Sequence, residues 1–353
     1  MPPEPIQTTV QGVLGRITLA RPEALNALNL GMIDHIATTL HTWRHDPRIE
    51  TVLLDSTSPR AFCAGGDIRA IRALLQEHGL EAATQPFRHS YRMASMLAGY
   101  PKPVVSFLDG ICMGGGVGLG GHVRHRIVTE RACVAMPENA IALTPDAGGS
   151  YLLSRAPGLS GLRLALTGGR MNATMAIAAG FADRQAPSGA LDGIRQALTH
   201  MPAGQVMDSL PPCPALDGGP DTTTIAPVYD APDVATVIAR LQAHQAPWAQ
   251  ADLAALRGGC PFSLCITFAA YHAARALPDL DHVLEQEFQL ICQLLRRPDF
   301  AEGVRARLID KDNAPRWSPP TLADVSGHEI ASCLQNHASF SLDLPVPDAD
   351  QEQ

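Results

Sequence analysis

The chain has 353 residues and a net charge of −8, from 27 Lys+Arg against 35 Asp+Glu. With 46% hydrophobic and 18% charged residues it has globular composition, which excludes a disordered protein. The acidic balance disfavours nucleic acid or an anionic membrane as the main partner, because both ask for a basic face.

The length predicts about two domains, or one with a large appendage. Eight cysteines are scattered at positions 63, 112, 133, 213, 260, 265, 292 and 333, with no CxxC pair and no zinc-finger spacing. They read as reduced, mostly buried thiols, and predict a cytoplasmic protein without a metal site. The opening MPPEPIQTTV has no basic segment followed by an apolar stretch, so no secretory signal is expected.

In chain order, residues 13–20 (VLGRITLA) predict a strand, broken by Arg21-Pro22. Leu30, Ile33, Ile36, Leu40 and Trp43 recur at helical spacing and predict an amphipathic helix over 28–43. TVLLD (51–55) and PVVSFL (103–108) are short apolar runs of the kind found in buried strands. A helix is expected over 86–99, and further short strands over 126–129 and 133–135. Alternation of strands and helices gives an α/β fold with a largely parallel sheet. Three segments follow: a core over 1–190, a Pro/Gly-rich linker or long loop over 191–232, and a helical C-terminal region over 233–353, whose acidic residues 341–353 are expected to fray.

Three constellations can carry chemistry. Ala64-Gly65-Gly66-Asp67 follows strand TVLLD; such a loop can aim a backbone N–H at a ligand oxygen, or it is only a turn. Gly114-Gly115-Gly116-Val117-Gly118 follows strand PVVSFL and opens a helix, although glycine disfavours helix by roughly 1 kcal/mol per residue relative to alanine. Either close packing on the sheet or a site for developing negative charge offsets that cost. The spacing is not that of a dinucleotide fingerprint, and no Walker lysine is present. The third constellation is Glu138, in the apolar stretch VAMPENAIAL, with Asp146 eight positions on, before Ala-Gly-Gly. Each carboxylate is either a cap or a group with a raised pKa. Two donor loops with two carboxylates suggest acyl-transfer or enolate chemistry without metal or nucleotide. The pair His122 and His125 lacks a third ligand and reads as structural.

The motifs Phe62-Cys63-Ala64-Gly65-Gly66-Asp67, Asp109-Gly110 with Met113 to Gly118, and Ala135-Met136-Pro137-Glu138 resemble the crotonase (enoyl-CoA hydratase/isomerase) superfamily. Thr144 to Tyr151 (TPDAGGSY), Leu164 to Gly168, Asp299 to Ala306 and Ile309 to Asp312 resemble its 3-hydroxyisobutyryl-CoA hydrolase branch. The likeness covers roughly 10–190 and 255–320. It implies a crotonase-like spiral of ββα units with a helical C-terminal region. It also implies an acyl-CoA as small-molecule partner, CoA entering only as part of the substrate with no further cofactor, a homo-oligomer, and a place in valine catabolism. Carried over residue by residue, it implies Glu138 and Asp146 as catalytic and the N–H groups of Ala64 and Gly115 as an oxyanion hole. Gly65, Gly66, Asp67, Gly114 and Ser90 are implied to bind substrate. Two departures stand out. Gly118 occupies the position where hydratases of the superfamily carry a second glutamate, which favours hydrolase over hydratase. Ser90 precedes Tyr91 where related hydrolases often carry glutamate, so the acyl group is left open. Hydrolysis of a short-chain hydroxyacyl-CoA is the expected activity, ahead of hydration or isomerisation and of a non-catalytic role.

Overall fold

The computed structural model describes residues 4–211, 222–335 and 340–344. Among the described residues nine strands form two sheets. Strands β1 (Ile6–Gln11), β2 (Leu14–Leu19), β3 (Thr51–Ser56), β5 (Val104–Leu108), β7 (His125–Val128) and β9 (Arg184–Gln185) lie side by side in that order. Strands β4 (Ala61–Cys63), β6 (Ile111–Met113) and β8 (Cys133–Ala135) make the second sheet. Among these strands only β1 and β2 pair antiparallel; the other ladders between them are parallel.

The chain therefore climbs as a spiral. Each turn contributes one strand to each sheet (β3 then β4, β5 then β6, β7 then β8) before a helical segment leads to the next, which is the expected ββα repeat. Strand β1 is not predicted by the sequence pattern. All of its residues after Ile6 are exposed, so it offers little apolar periodicity.

The large sheet is apolar on both faces, in step with the two-residue period of a strand. Val52, Leu54, Val104 and Val128 join the main core. Leu53, Val105, Phe107 and Ile127 face the other way, onto Leu191, Ile194 and Leu198 of α7 (Leu191–Leu198) and Val206 and Met207 of α8 (Ala203–Asp208). Asp55, at the end of β3, is buried and accepts hydrogen bonds from Arg16, Thr18 and Arg195, tying α7 to the sheet. Of the stretch expected as linker, 191–208 thus forms helices on the sheet. Residues 222–229 form a further helix, and 212–221 lie outside the described residues.

The earlier helices are α1 (Leu30–Trp43), α2 (Ile68–Ala98), α3 (Gly115–Gly120), α4 (Gly149–Arg155), α5 (Ser160–Thr167) and α6 (Ala173–Ala178). Helix α2 begins far upstream of the expected 86–99, and Gly79 breaks it at φ 81°. Its first half carries a short apolar stripe, Ile68, Ile71, Leu74 and Leu75, set among charged residues and packed on the C-terminal core. After α8 come α9 (Thr222–Tyr229), α10 (Val234–Ala243), α11 (Pro247–Gly258), α12 (Pro261–Ala274), α13 (Leu280–Leu294), α14 (Pro298–Val304) and α15 (Gly327–Cys333). No single helix among the described residues is long and apolar enough to cross a membrane.

The C-terminal helices pack on α2 and α4 around Phe87, Tyr91, Phe288, Ile291 and Phe300. Residues 341–343, expected to fray, are instead seated across α2 and α13. Arg88 donates to the Ser341 carbonyl, Arg92 donates to the Leu342 carbonyl at 2.9 Å, and the Leu342 N–H donates to Glu285 at 2.9 Å. Leu342 is fully buried, and residues 345–353 lie outside the described set.

Helix α5 crosses α4 at Gly161, where an added Cβ would sit 1.7 Å from the Leu153 carbonyl oxygen. Backbone cannot yield as a side-chain tip can. Gly161→Ala is therefore expected to destabilise the protein by at least about 2 kcal/mol, an overpacking cost. Chemical denaturation checks this; an unchanged midpoint would disprove the tight crossing.

Candidate active site

All nine predicted site residues line one cavity of about 1260 Å³. Ala64, Gly65, Gly66 and Asp67 form one wall, Gly114 and Gly115 the next, and Ser90, Glu138 and Asp146 complete it. Ile68, Ile71 and Phe87 add apolar surface, and Arg69, Arg307 and Lys311 bring positive charge.

The two glycine loops meet because neither carries a side chain. A Cβ on Gly116 would stand 2.3 Å from the Cys63 carbonyl oxygen, and one on Gly115 would stand 3.3 Å from the Gly66 nitrogen. Gly65 has φ +109°, a conformation that L side chains rarely adopt, and it turns the loop so that the next N–H faces the cavity. The N–H groups of Gly66 and Gly115 lie on the same wall and have no acceptor among the described residues.

This changes one predicted donor. The Ala64 N–H donates to the Leu25 carbonyl at 3.0 Å, so it is committed to the fold and not presented to a ligand. Gly66, two residues on, carries the unpaired N–H of that loop. The sequence locates the loop but not which of its amides points inward. Asp67 is also committed: its side chain accepts from the Ala70 N–H, capping α2, and pairs with Arg21 at 2.8 Å.

Glu138 opens a 3-10 turn over Glu138–Ile141 and is buried. Its neighbour Asn139 fixes this turn. The Asn139 amide donates to the Ala165 carbonyl, and its side-chain oxygen accepts from Ser263 and Thr267 of α12. Glu138 Oε1 abuts Gly114, where a Cβ would come within 2.9 Å. Glu138 Oε2 is buried without a hydrogen-bond partner among the described residues. Burial, and next the charge of Asp146, push the Glu138 carboxyl well above the usual carboxylate range.

Asp146 is buried across the same cavity and accepts a hydrogen bond from the Tyr91 hydroxyl at 2.7 Å. Burial raises its carboxyl to about 6, while the Tyr91 bond opposes the rise. Its loop packs directly on Gly118, where an added Cβ would lie 2.7 Å from the Ala147 Cβ and 3.0 Å from the Ala147 carbonyl oxygen. The Asp146 loop thus fills the space into which a side chain at position 118 would project. Two carboxyls share the cavity, and the second comes from the Asp146 loop.

Sequence reasoning missed two groups behind this loop. Tyr91 holds Asp146 directly. Glu287, fully buried on α13, accepts from the N–H groups of Gly148 at 2.7 Å and Ser150 at 2.9 Å. A signal existed: Glu287 sits on the apolar stripe Val283, Leu284, Phe288, Ile291, where a charged residue is out of place. His122 contacts the Ala147 carbonyl at 3.2 Å, and burial lowers its pKa to about 4, which fits the expected structural role. Among the described residues no group of three or more His, Cys, Asp or Glu side chains is set to hold a metal.

A family model described as enoyl-CoA hydratase/isomerase matches residues 14–334. The protein named 3-hydroxyisobutyryl-CoA hydrolase, mitochondrial, from Gallus gallus is 35% identical over 95% of this chain and 89% of its own. Its namesake from Xenopus laevis is 37% identical over 95% of this chain and 90% of its own. Among solved structures, a carnitinyl-CoA dehydratase from Mycobacterium thermoresistibile superposes with TM-score 0.90 at 36% identity, covering 96% of this chain and 98% of that one. An enoyl-CoA hydratase from Rhodobacter sphaeroides 2.4.1 gives 0.87 at 39% identity, covering 96% and 99%. The animal relatives are named as mitochondrial, which contradicts the expected cytoplasmic location. That expectation leaned on free cysteines, and a free thiol reports only a reducing compartment, not which one.

The raised carboxyls have a consequence for stability. Asp146 goes from an ordinary 3.8 to about 6, so the folded state binds its proton more tightly than the unfolded chain does. The stabilisation is complete below about pH 4 and lost as pH rises through about 6, a loss of about 3 kcal/mol. Asn does not titrate, so the melting temperature of Asp146→Asn relative to the parent is expected to climb between pH 5 and pH 7. A difference constant across that range would show that Asp146 titrates normally.

Proposed function

The chain belongs to the enoyl-CoA hydratase/isomerase family, and from that premise we propose that it is an acyl-CoA thioester hydrolase, cleaving 3-hydroxyisobutyryl-CoA or a close short-chain hydroxyacyl-CoA to free acid and CoA. The observation that carries this reading is the pairing of the buried Glu138 carboxyl, whose Oε2 has no partner among the described residues, with two unpaired N–H groups on the adjoining wall.

The thioester oxygen accepts from the Gly66 and Gly115 N–H groups. As the carbonyl carbon becomes tetrahedral, negative charge grows on that oxygen, and each donor contributes roughly 3 kcal/mol to lowering the barrier. Glu138 supplies the carboxylate. It either attacks the carbonyl carbon, giving a mixed anhydride that water then cleaves, or takes the proton of an attacking water. In both routes the C–S bond breaks and CoA leaves as thiolate, which then takes a proton. Asp146 holds the substrate hydroxyl or assists that protonation. Arg69, Arg307 and Lys311 offer positive charge to the phosphates of CoA. No metal or redox cofactor is required, and the substrate fits a place in valine catabolism.

A second reading is hydration of an enoyl-CoA, the activity after which the two solved relatives are named. Hydration in this superfamily uses a carboxylate at each end of the water, one of them at the position of Gly118. Here the Asp146 loop occupies that space, so the second carboxyl approaches from elsewhere.

A panel of acyl-CoAs separates the readings. Free thiol is expected from 3-hydroxyisobutyryl-CoA or 3-hydroxypropionyl-CoA with far higher kcat/KM than hydration of crotonyl-CoA. Rapid crotonyl-CoA hydration without thiol release would replace hydrolase by hydratase. Glu138→Gln keeps the size and removes basicity and nucleophilicity, so kcat should fall at least about 100-fold in a folded variant. Near-parent turnover would take Glu138 out of the mechanism.

A further inference from the structure

Glu287 is a fully buried carboxyl that the proposed reaction does not use. No cation pairs with it among the described residues; both carboxyl oxygens are spent on the backbone N–H groups of Gly148 and Ser150. Burial pushes the group up to about 8, the nearby charge of Asp146 adds to the rise, and the two N–H bonds oppose it. Such a group is costly to bury. A backbone turn of this kind is ordinarily satisfied by a local Ser or Asp, whereas this carboxyl comes from 139 residues further along the chain.

The segment it holds needs holding. Ala147 has φ +52° and Gly148 has φ +81°, so a non-glycine residue directly after Asp146 sits in the left-handed region. Three contacts fix this bend. The Tyr91 hydroxyl binds Asp146, His122 meets the Ala147 carbonyl, and Glu287 takes the next two inward N–H groups. Phe288, the residue after Glu287, packs edge-on against the Tyr91 ring at 6.1 Å. Helix α13 therefore supports Asp146 both through the loop backbone and through Tyr91.

We propose that Glu287 is a positioning residue for the reaction: by accepting the Gly148 and Ser150 N–H groups it keeps the bend at Ala147 closed and Asp146 aimed into the cavity. It touches no substrate and acts only through Asp146. Its assay rests on the hydrolase reading, but its backbone contacts do not.

The test is a double-mutant cycle on the full chain, with thiol release from the best hydroxyacyl-CoA as the readout. Glu287→Gln retains one acceptor oxygen and turns an N–H donor toward another donor. Loss of about 1 Å of placement costs on the order of 100-fold, so kcat should drop at least about 30-fold. KM, and the Kd for free CoA, should stay within about 3-fold, because the glycine loops and the basic mouth are untouched. In an Asp146→Asn background the same change should lower kcat by less than about 3-fold, since its target is already gone. Glu287→Asp, which keeps the carboxyl but shortens the reach, should fall between. An unchanged kcat for Glu287→Gln, or an equal loss with and without Asp146, overturns the proposal. If Glu287→Gln does not fold, amide hydrogen exchange on the parent decides: the Gly148 and Ser150 amides should be protected at least about 100-fold, and exchange at exposed-loop rates would refute the contact. This readout needs no turnover. A chain that releases no thiol removes the hydrolase reading while the exchange data still judge Glu287.

Discussion

Everything at the site depends on how closely two backbones approach. The loop after β4 and the start of α3 touch through bare Cα and peptide atoms, and at Gly116 even a methyl group would press within 2.3 Å of the Cys63 carbonyl oxygen. Glycine in α3 carries a helix penalty of roughly 1 kcal/mol per residue. The contact makes sense of that penalty, because it brings two unpaired N–H groups from separate turns of the spiral onto one wall. Glu138 obeys the same constraint, since its Oε1 lies 2.9 Å from where a Cβ on Gly114 would stand. Backbone donors so fixed need no reorganisation when charge develops, which is the main advantage of preorganised electrostatics.

The treatment of buried acids follows two patterns. Asp55 has Arg16 and Arg195, Asp252 has Arg163 and the Tyr229 hydroxyl, and Asp299 has Arg297. These are neutralised structural acids. Glu138, Asp146 and Glu287 are buried near one another, and the charge of Asp146 raises the other two, yet no arginine or lysine pairs with them among the described residues. Withholding a counter-charge from three neighbouring carboxyls is unfavourable for the fold and useful for proton transfer near neutrality. That contrast separates the cavity from the rest of the molecule more sharply than burial does.

The sequence carries the parts of the fold that repeat or are strongly apolar. TVLLD, PVVSFL and the Leu30–Trp43 stripe lie in the elements they predict, because burial on both strand faces and helical amphipathicity leave direct marks in composition. Strand β1 leaves no such mark, being exposed along most of its length, and the first half of α2 leaves only the short stripe Ile68, Ile71, Leu74 and Leu75 among charged residues before the break at Gly79. The site is legible to the level of loops and carboxylates. Which N–H points inward, Gly66 rather than Ala64, depends on a single peptide orientation set by Leu25 and the φ of Gly65, and no residue type encodes it. Glu287 lies far along the chain from Asp146, so its role emerges only when α13 packs on α4, although its place on an apolar stripe is visible beforehand.

The seating of residues 341–343 across α2 and α13 bears on the order of assembly. Both glycine loops, Glu138 and Asp146 lie in the first half of the chain, so a growing polypeptide carries them well before Arg307 and Lys311 of the same cavity are made. The helix that closes the Asp146 bend emerges much later, and the segment that fastens it to α2 later still. A chain folded only through the spiral therefore holds both glycine loops without a finished cavity, and residues 341–343 are the latch that fastens the closing helix to α2.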